Sequence, residues 1–297
     1  MKTRLGIFIS ALLLLPLAGL WLSGAEWSEL MAIAVSSDDG LAATLRTSIM
    51  LMLYSLLINH IIKRMTGNSP FDDQRSFFIG MSIASALTGW LLSYLNIFVA
   101  SWTVPQDYAW FVQVLLYTPL FALLAPAVLI TRALLGSFPG LLKALTCRFT
   151  FNTPNAETLA RLLLATALMG LTAGAAWPAK LFWLLWIAPL LLLVAMQLLW
   201  NENTIFTRIK AGDWGRVVCT ALSGIIVGNL SVISYQSNAS LSINLPNMTM
   251  AQAGFVVFGL LCLQLSDVLA ENWRGKSRTA LFKGKKKFPI PVVVKKI

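Results

Sequence analysis

From residue 181 to residue 200 the chain reads LFWLLWIAPLLLLVAMQLLW, twenty residues without a charged side chain. A buried helix of a soluble protein does not need such a run, whereas about 20 apolar residues at 1.5 Å each cross a hydrocarbon layer ~30 Å thick. Similar runs recur along the 297 residues, and 57% of the chain is hydrophobic while 12% is charged. Soluble domains carry roughly 25% charge. The pattern predicts an all-α fold, a polytopic integral membrane helical bundle. Open strands would leave backbone edges unsatisfied in lipid, and the runs lack the alternation of barrel strands.

Apolar runs and their breaks place eight spans at about 5–23, 41–62, 77–100, 109–130, 159–178, 181–200, 217–235 and 251–270. They form one transmembrane domain over 1–273, followed by a basic tail over 274–297. The charges test this count independently, because cytoplasmic loops collect Lys and Arg. Alternate segments carry Lys2 and Arg4; Lys63, Arg64 and Arg75; Arg132, Lys143, Arg148 and Arg161; Arg208, Lys210 and Arg216; and nine tail residues. One side thus holds 21 of the 23 basic residues, while the other has Lys180 against Glu26, Glu29, Asp38, Asp39 and Asp107. Both termini are therefore expected in the cytoplasm, in a bacterial-type inner membrane.

The formal charge of +11 follows from this topology and does not point to nucleic acid, for which the tail also lacks interleaved aromatic residues. The tail, with Lys283, Lys285, Lys286 and Lys287, suits anionic lipid headgroups at about 1 kcal/mol per basic residue. Lys2 and Arg4, the first apolar run and Ser23-Gly24-Ala25 share the outline of a signal peptide, but the length of the run and Trp21 favour a retained anchor. Residues 133–149 mix leucine and phenylalanine with Lys143 and Arg148, which predicts an interfacial helix interrupted at Pro139 and Gly140. Cys147, Cys219 and Cys262 have no paired spacing, so neither a disulfide framework nor a zinc site is readable. No loop between spans is long enough for a soluble catalytic domain.

Few polar residues break the grease, and each has a structural as well as a chemical reading. In SPFDDQR, Ser69 precedes Pro70 and an acid three residues on, the pattern of a helix start, here for the third span. Asp72, Asp73 and Arg75 could alternatively hold phosphate or metal, but a magnesium site normally adds further ligands and substrate phosphates. Thr103-Val104-Pro105-Gln106 and Thr249-Met250-Ala251-Gln252 repeat the capping logic before the fourth and eighth spans. Arg46 is the one basic residue well inside a span, where it either snorkels outward or meets an anionic solute. His60, the sole histidine, lies beside Asn59 near the cytoplasmic end of the second span and lacks companion ligands or a nucleophile. No metal or cofactor motif is readable.

Gln264, Asp267 and Glu271 are spaced by three and four, and so share one face of the eighth span. Carboxylates near a helix C-terminus oppose the macrodipole, and Arg274 can compensate Glu271 locally. The alternative is a polar cavity lining, joined by Asn59, His60 and Gln197 at similar depth. Gly170–Gly174 and Gly224–Gly228 are GxxxG pairs, and Ser85 with Gly89 makes a similar small face, for packing within the chain or between copies or partner subunits. Pro119, Pro126 and Pro189 predict kinks.

Three functions remain open at this level. A transporter, permease or export component for a small or lipid-linked solute would route it past Arg46, Asn96, Asn229, Gln264 and Asp267. A membrane-embedded transferase acting on a lipid-linked or phosphorylated substrate would use Asp72, Asp73, Arg75 and the basic residues near Arg148. A non-catalytic assembly or anchoring subunit would need only the small-residue faces and the tail. The absence of multi-aspartate or histidine arrays weighs against the transferase, while intramembrane polar residues, proline-interrupted helices and the lack of an extramembrane domain between spans favour transport.

Overall fold

In the computed structural model, the described residues are 39–104, 110–145, 155–200, 202–206, 209, 214–236 and 241–273. The expected first span, Glu26, Glu29, Asp38, Asp107, Cys147, Arg148, Arg208, Lys210 and the basic tail lie outside them. Seven helices among the described residues are long and apolar enough to cross a membrane. These are α1 (Asp39–Thr66), α3 (Arg75–Val99), α4 (Trp110–Leu135), α6 (Ala156–Ala176), α7 (Pro178–Leu199), α8 (Gly215–Gln236) and α9 (Met248–Trp273). Two short helices, α2 (Pro70–Asp73) and α5 (Pro139–Ala144), and the strands β1 (Trp102–Thr103) and β2 (Ser242–Ile243) complete the order. The chain is a multi-pass membrane protein with an all-helical bundle. Each long helix begins and ends within five residues of its expected span.

The helices sort their faces as lipid demands. On α3, Ile79, Ile83, Leu87, Leu91, Tyr94 and Phe98 recur every three or four residues and are exposed, while Phe78, Met81, Ser85, Gly89, Leu92 and Leu95 are buried. Helices α4 and α9 occupy the middle: α4 packs on α1, α3, α8 and α9, and α9 packs on α3, α4, α7 and α8. Helix α6 is peripheral and pairs mainly with α7. The apolar interior divides around α9, with Cys262 in a cluster containing Met81, Val128 and Val227, and Leu261 and Leu263 in another containing Leu92, Leu185 and Val194.

Small residues set the closest approaches, and they do so inside the chain. A Cβ on Gly224 would lie 2.3 Å from the Phe255 carbonyl oxygen and 2.9 Å from Gly259 Cα, so α8 and α9 touch backbone to backbone. Gly170 would meet the Leu184 carbonyl at 2.7 Å, and Gly174 would meet Leu185 Cβ at 2.9 Å, which joins α6 to α7. Both GxxxG faces thus pack against helices of the same chain, the first of the two uses expected for them. Gly89 receives the Phe121 side chain of α4.

Beside it, Ser85 Oγ inserts into the backbone ladder of α4, donating to the Phe121 carbonyl and accepting from the Ala125 N–H at 3.0 Å. Pro126 follows directly, and its ring excludes a normal bond to the carbonyl four residues earlier, so the ladder opens there. The serine bridges the Phe121 carbonyl and the Ala125 N–H, the step of the ladder next to the one that Pro126 cannot make to the Ala122 carbonyl.

Several expected helix starts differ in the structure. Ser69 does cap through its side chain, which accepts from Asp72 N–H at 3.4 Å, but the helix it starts is the single turn α2. Gln74 (φ −130°, ψ 36°) then breaks the ladder, and α3 begins at Arg75 without a side-chain cap. Thr249 lies inside α9, and Asn247 supplies the cap by accepting from Met250 N–H at 2.9 Å. Thr103 lies in β1, antiparallel to β2. The expected interfacial helix over 133–149 is also revised. Residues through Leu135 continue α4, and Pro139 opens α5, as a proline with its fixed φ and absent N–H does at a first helical position.

Candidate functional site

The antiparallel pairing of α8 and α9 brings the start of one beside the end of the other. Contacts run from Asn229 with Gln252, through Gly224 with Phe255 and Gly259, to Arg216 with Asp267. This last pair is buried, with side chains 11% and 10% exposed. Asp267 therefore finds its cation on the neighbouring helix. In the sequence Arg216 counts only as a topological charge, because its pairing depends on the register between helices.

One turn before Asp267, Gln264 is fully buried, as is Gln197 of α7. The Ile205 backbone N–H donates to Gln264 Oε1 at 3.2 Å, and Gln264 Nε2 in turn donates to Gln197 Oε1. A backbone N–H can only donate, so it sets the orientation of the first amide and, through it, of the second. The chain of amides ends at Gln197 Nε2, which is buried and has no hydrogen-bond partner among the described residues. An unpaired buried donor costs about 1–3 kcal/mol. The arrangement thus offers N–H to an oxygen acceptor.

The Ile205 N–H reaches Gln264 because residues 202–206 turn inward after α7 in place of lying on the surface. Glu202 is 9%, Thr204 1% and Ile205 5% exposed, and Ile205 joins the apolar cluster around Val194 and Leu263. Glu202 N–H donates to the Gln197 carbonyl at 2.8 Å, and Phe206 N–H donates to Thr204 Oγ1 at 3.2 Å. Non-helical backbone at this depth is tolerated where protein buries it or a cavity needs it. Arg132, at the end of α4, is also buried. The basic end of the bundle therefore holds amides, both signs of charge and non-helical backbone in its interior.

The other expected site residues have distinct places. The Glu271 side chain lies outside the described residues. Asn229 exchanges reciprocal amide bonds with Gln252 at 2.8 and 2.9 Å, which makes a second polar tie between α8 and α9. In the sequence Gln252 stands in a helix-start pattern, which conceals this tie. Asn96 binds the Trp102 backbone through both its oxygen and its nitrogen and closes the turn after α3. Asn59 does not join Gln197; its oxygen accepts from Phe71 N–H at 3.1 Å, and its nitrogen donates to Ser69 Oγ at 3.0 Å. It fastens α1 to the turn at α2, after Gly67 (φ 78°) has ended α1.

His60 is half-buried, and its Nε2 has no hydrogen-bond partner among the described residues. Arg46 is half-buried near the other end of α1, where Thr47 Oγ1 donates to Ser234 Oγ at 3.3 Å. Asp72 pairs with Lys63 at 2.9 Å, whereas Asp73 and Arg75 point to the surface. The Lys63 hydrogen bond, helped by Ser69, holds the Asp72 carboxyl below its ordinary value. Among the described residues no group of three His, Cys, Asp or Glu could hold a metal ion. Comparisons with models of known families, with curated proteins and with solved structures give no match.

Proposed function

We propose that the chain is a transporter, permease or export component for a small or lipid-linked solute, in a bacterial-type inner membrane with its basic end in the cytoplasm. The observation that supports this reading is the buried meeting of Gln197, Gln264, Arg216 and Asp267 with the inward-turned backbone of 202–206. A bundle that only anchored other subunits would be served by apolar packing, and intramembrane charges and amides are costly enough to mark solute or ion pathways. Gln197 Nε2 supplies a donor to a solute oxygen, and the Arg216–Asp267 pair supplies charge that can exchange partners. Asn229 with Gln252, and Arg46 beyond them, continue polar chemistry toward the opposite end.

The test is reconstitution of the full chain in liposomes exposed to a small-molecule extract of the host cell, with trapped contents read by mass spectrometry. At least one solute is expected to enter or leave faster than in protein-free liposomes, and Asp267→Asn should slow it about tenfold, as loss of about 1.4 kcal/mol of stabilisation would. Identical contents with and without protein would overturn transport.

A further inference from the structure

Helices α7 and α8 both pack on α9 and hardly touch each other, so the α9 surface between them faces the polar groups of both. Gly259 of α9 meets α8, and Gln264 meets Gln197 of α7. At about 100° per residue, Asp267 lies about 80° round α9 from Gly259 and about 60° short of Gln264. Its carboxylate therefore stands between the amide pair on one side and Arg216 on the other. Donors exceed acceptors around that place. Gln197 Nε2 is fully buried and has no hydrogen-bond partner among the described residues. The Arg216 guanidinium bonds Asp267 through Nη2 alone among the described residues, although its planar fork carries further N–H groups. Arg216 is also the second residue of α8, and the first N–H groups of a helix lack intrahelical partners and favour negative charge. No acidic residue lies in the first turn of α8, so Asp267 supplies the anion from the neighbouring helix.

We infer that this place binds a phosphate group, which exchanges with the Asp267 carboxylate and accepts hydrogen bonds from Arg216 on α8 and from Gln197 Nε2 on α7. A carboxylate offers its acceptors in one plane. A phosphate offers oxygens tetrahedrally, so it can take an arginine fork from one helix and an amide N–H from another. Arg216 keeps a counter-ion throughout the exchange, as a buried cation requires. Asp267 makes a further interaction besides that with Arg216, so its carboxylate is not stranded when the guanidinium changes partner. Gln264 acts as a positioning residue: it holds the Gln197 oxygen and leaves the nitrogen edge of that amide to the ligand. The side chain of Arg216 keeps 11% exposure, which makes it the entry side. The assignment rests on the transport reading and names its solute class, a molecule bearing phosphate, either free or lipid-linked.

The experiment uses the full chain purified in an uncharged sugar detergent. One arm measures equilibrium binding of radiolabelled inorganic phosphate, and the other titrates phosphatidylglycerol and reads bound lipid by native mass spectrometry. Saturable binding is expected in at least one arm; phosphate alone marks a free solute, and the lipid alone a lipid-linked one. In the arm that binds, Gln197→Leu should weaken binding about tenfold or more, as loss of a hydrogen bond to a charged group does. Arg216→Gln should weaken it at least as much, whereas Asp267→Asn removes the competing carboxylate and should tighten it. A merely structural role would not give Gln197→Leu and Asp267→Asn opposite signs, and these two variants suffice if Arg216→Gln does not accumulate. Arg64→Gln removes an exposed charge from the same end and should change binding less than about twofold, because exposed charges are screened. Absence of saturable binding in both arms overturns the assignment, as does binding that Gln197→Leu leaves unchanged or that Arg64→Gln weakens as much as Gln197→Leu does. Binding in detergent requires no movement across a membrane. A chain that binds phosphate and moves nothing would keep this site and lose the transport reading, and one that moves a solute without binding phosphate would do the reverse.

Discussion

Asp267 and Arg216 illustrate how strongly the worth of a charged residue depends on its surroundings. Each side chain is about nine-tenths buried, and removing one takes this ion pair from the other in a low dielectric. Arg216→Met is expected to cost about 3 kcal/mol, the usual penalty for breaking a buried pair. A well-packed double replacement, Arg216→Met with Asp267→Leu, should recover most of it. A double-mutant cycle on unfolding in detergent checks both expectations. The exposed Lys63–Asp72 pair sits at the other extreme, and Asp72→Asn should cost under about 1 kcal/mol, less in high salt. The folded Asp72 carboxyl lies below its ordinary value of 3.8, so its contribution is present above that value and is lost as pH falls through the lowered pKa. Melting curves of parent and Asp72→Asn should therefore differ at neutral pH and converge in acid.

At the scale of elements, glycine substitutions should separate by what each Cβ would strike. Gly224→Ala drives a methyl into the Phe255 carbonyl and the Gly259 backbone, neither of which can rotate away, so α8 and α9 must part. The expected cost is about 2–3 kcal/mol, the upper part of the overpacking range. Gly228→Ala meets the Phe255 ring first, which can shift, and should cost less. Gly254 has nothing within 4 Å of an added Cβ, and Gly254→Ala should stabilise α9 by about 0.5–1 kcal/mol through lower unfolded-state entropy. Ranking the three by resistance to unfolding tests the helix pairing without reference to function. The same logic explains why Ser85, and no larger side chain, lies against the opening before Pro126.

For the whole molecule, cysteines at Arg64 and at Lys180 should label from opposite sides of the membrane, Arg64 from the cytoplasmic side. Labelling of both from one face would break the expected orientation. Much of the architecture was legible in the sequence, because span length is a local property compared with a fixed bilayer thickness. That is why seven helices begin and end within five residues of the apolar runs. The shared face of Gln264 and Asp267 was legible for the same reason, since helical spacing alone defines it. The partners were not. Arg216 and Gln252 are separated in sequence from Asp267 and Asn229 by 51 and 23 residues, and helix capping or topology explained them well enough in isolation. Nothing local marks Ile205 as the donor to Gln264. Apolar run lengths and charge placement are enough to make the chain a multi-pass helical bundle and to mark the residues too polar for its interior. How those residues are satisfied emerges with the packed bundle, because pairing depends on the register and approach of helices that small residues set at a distance along the chain.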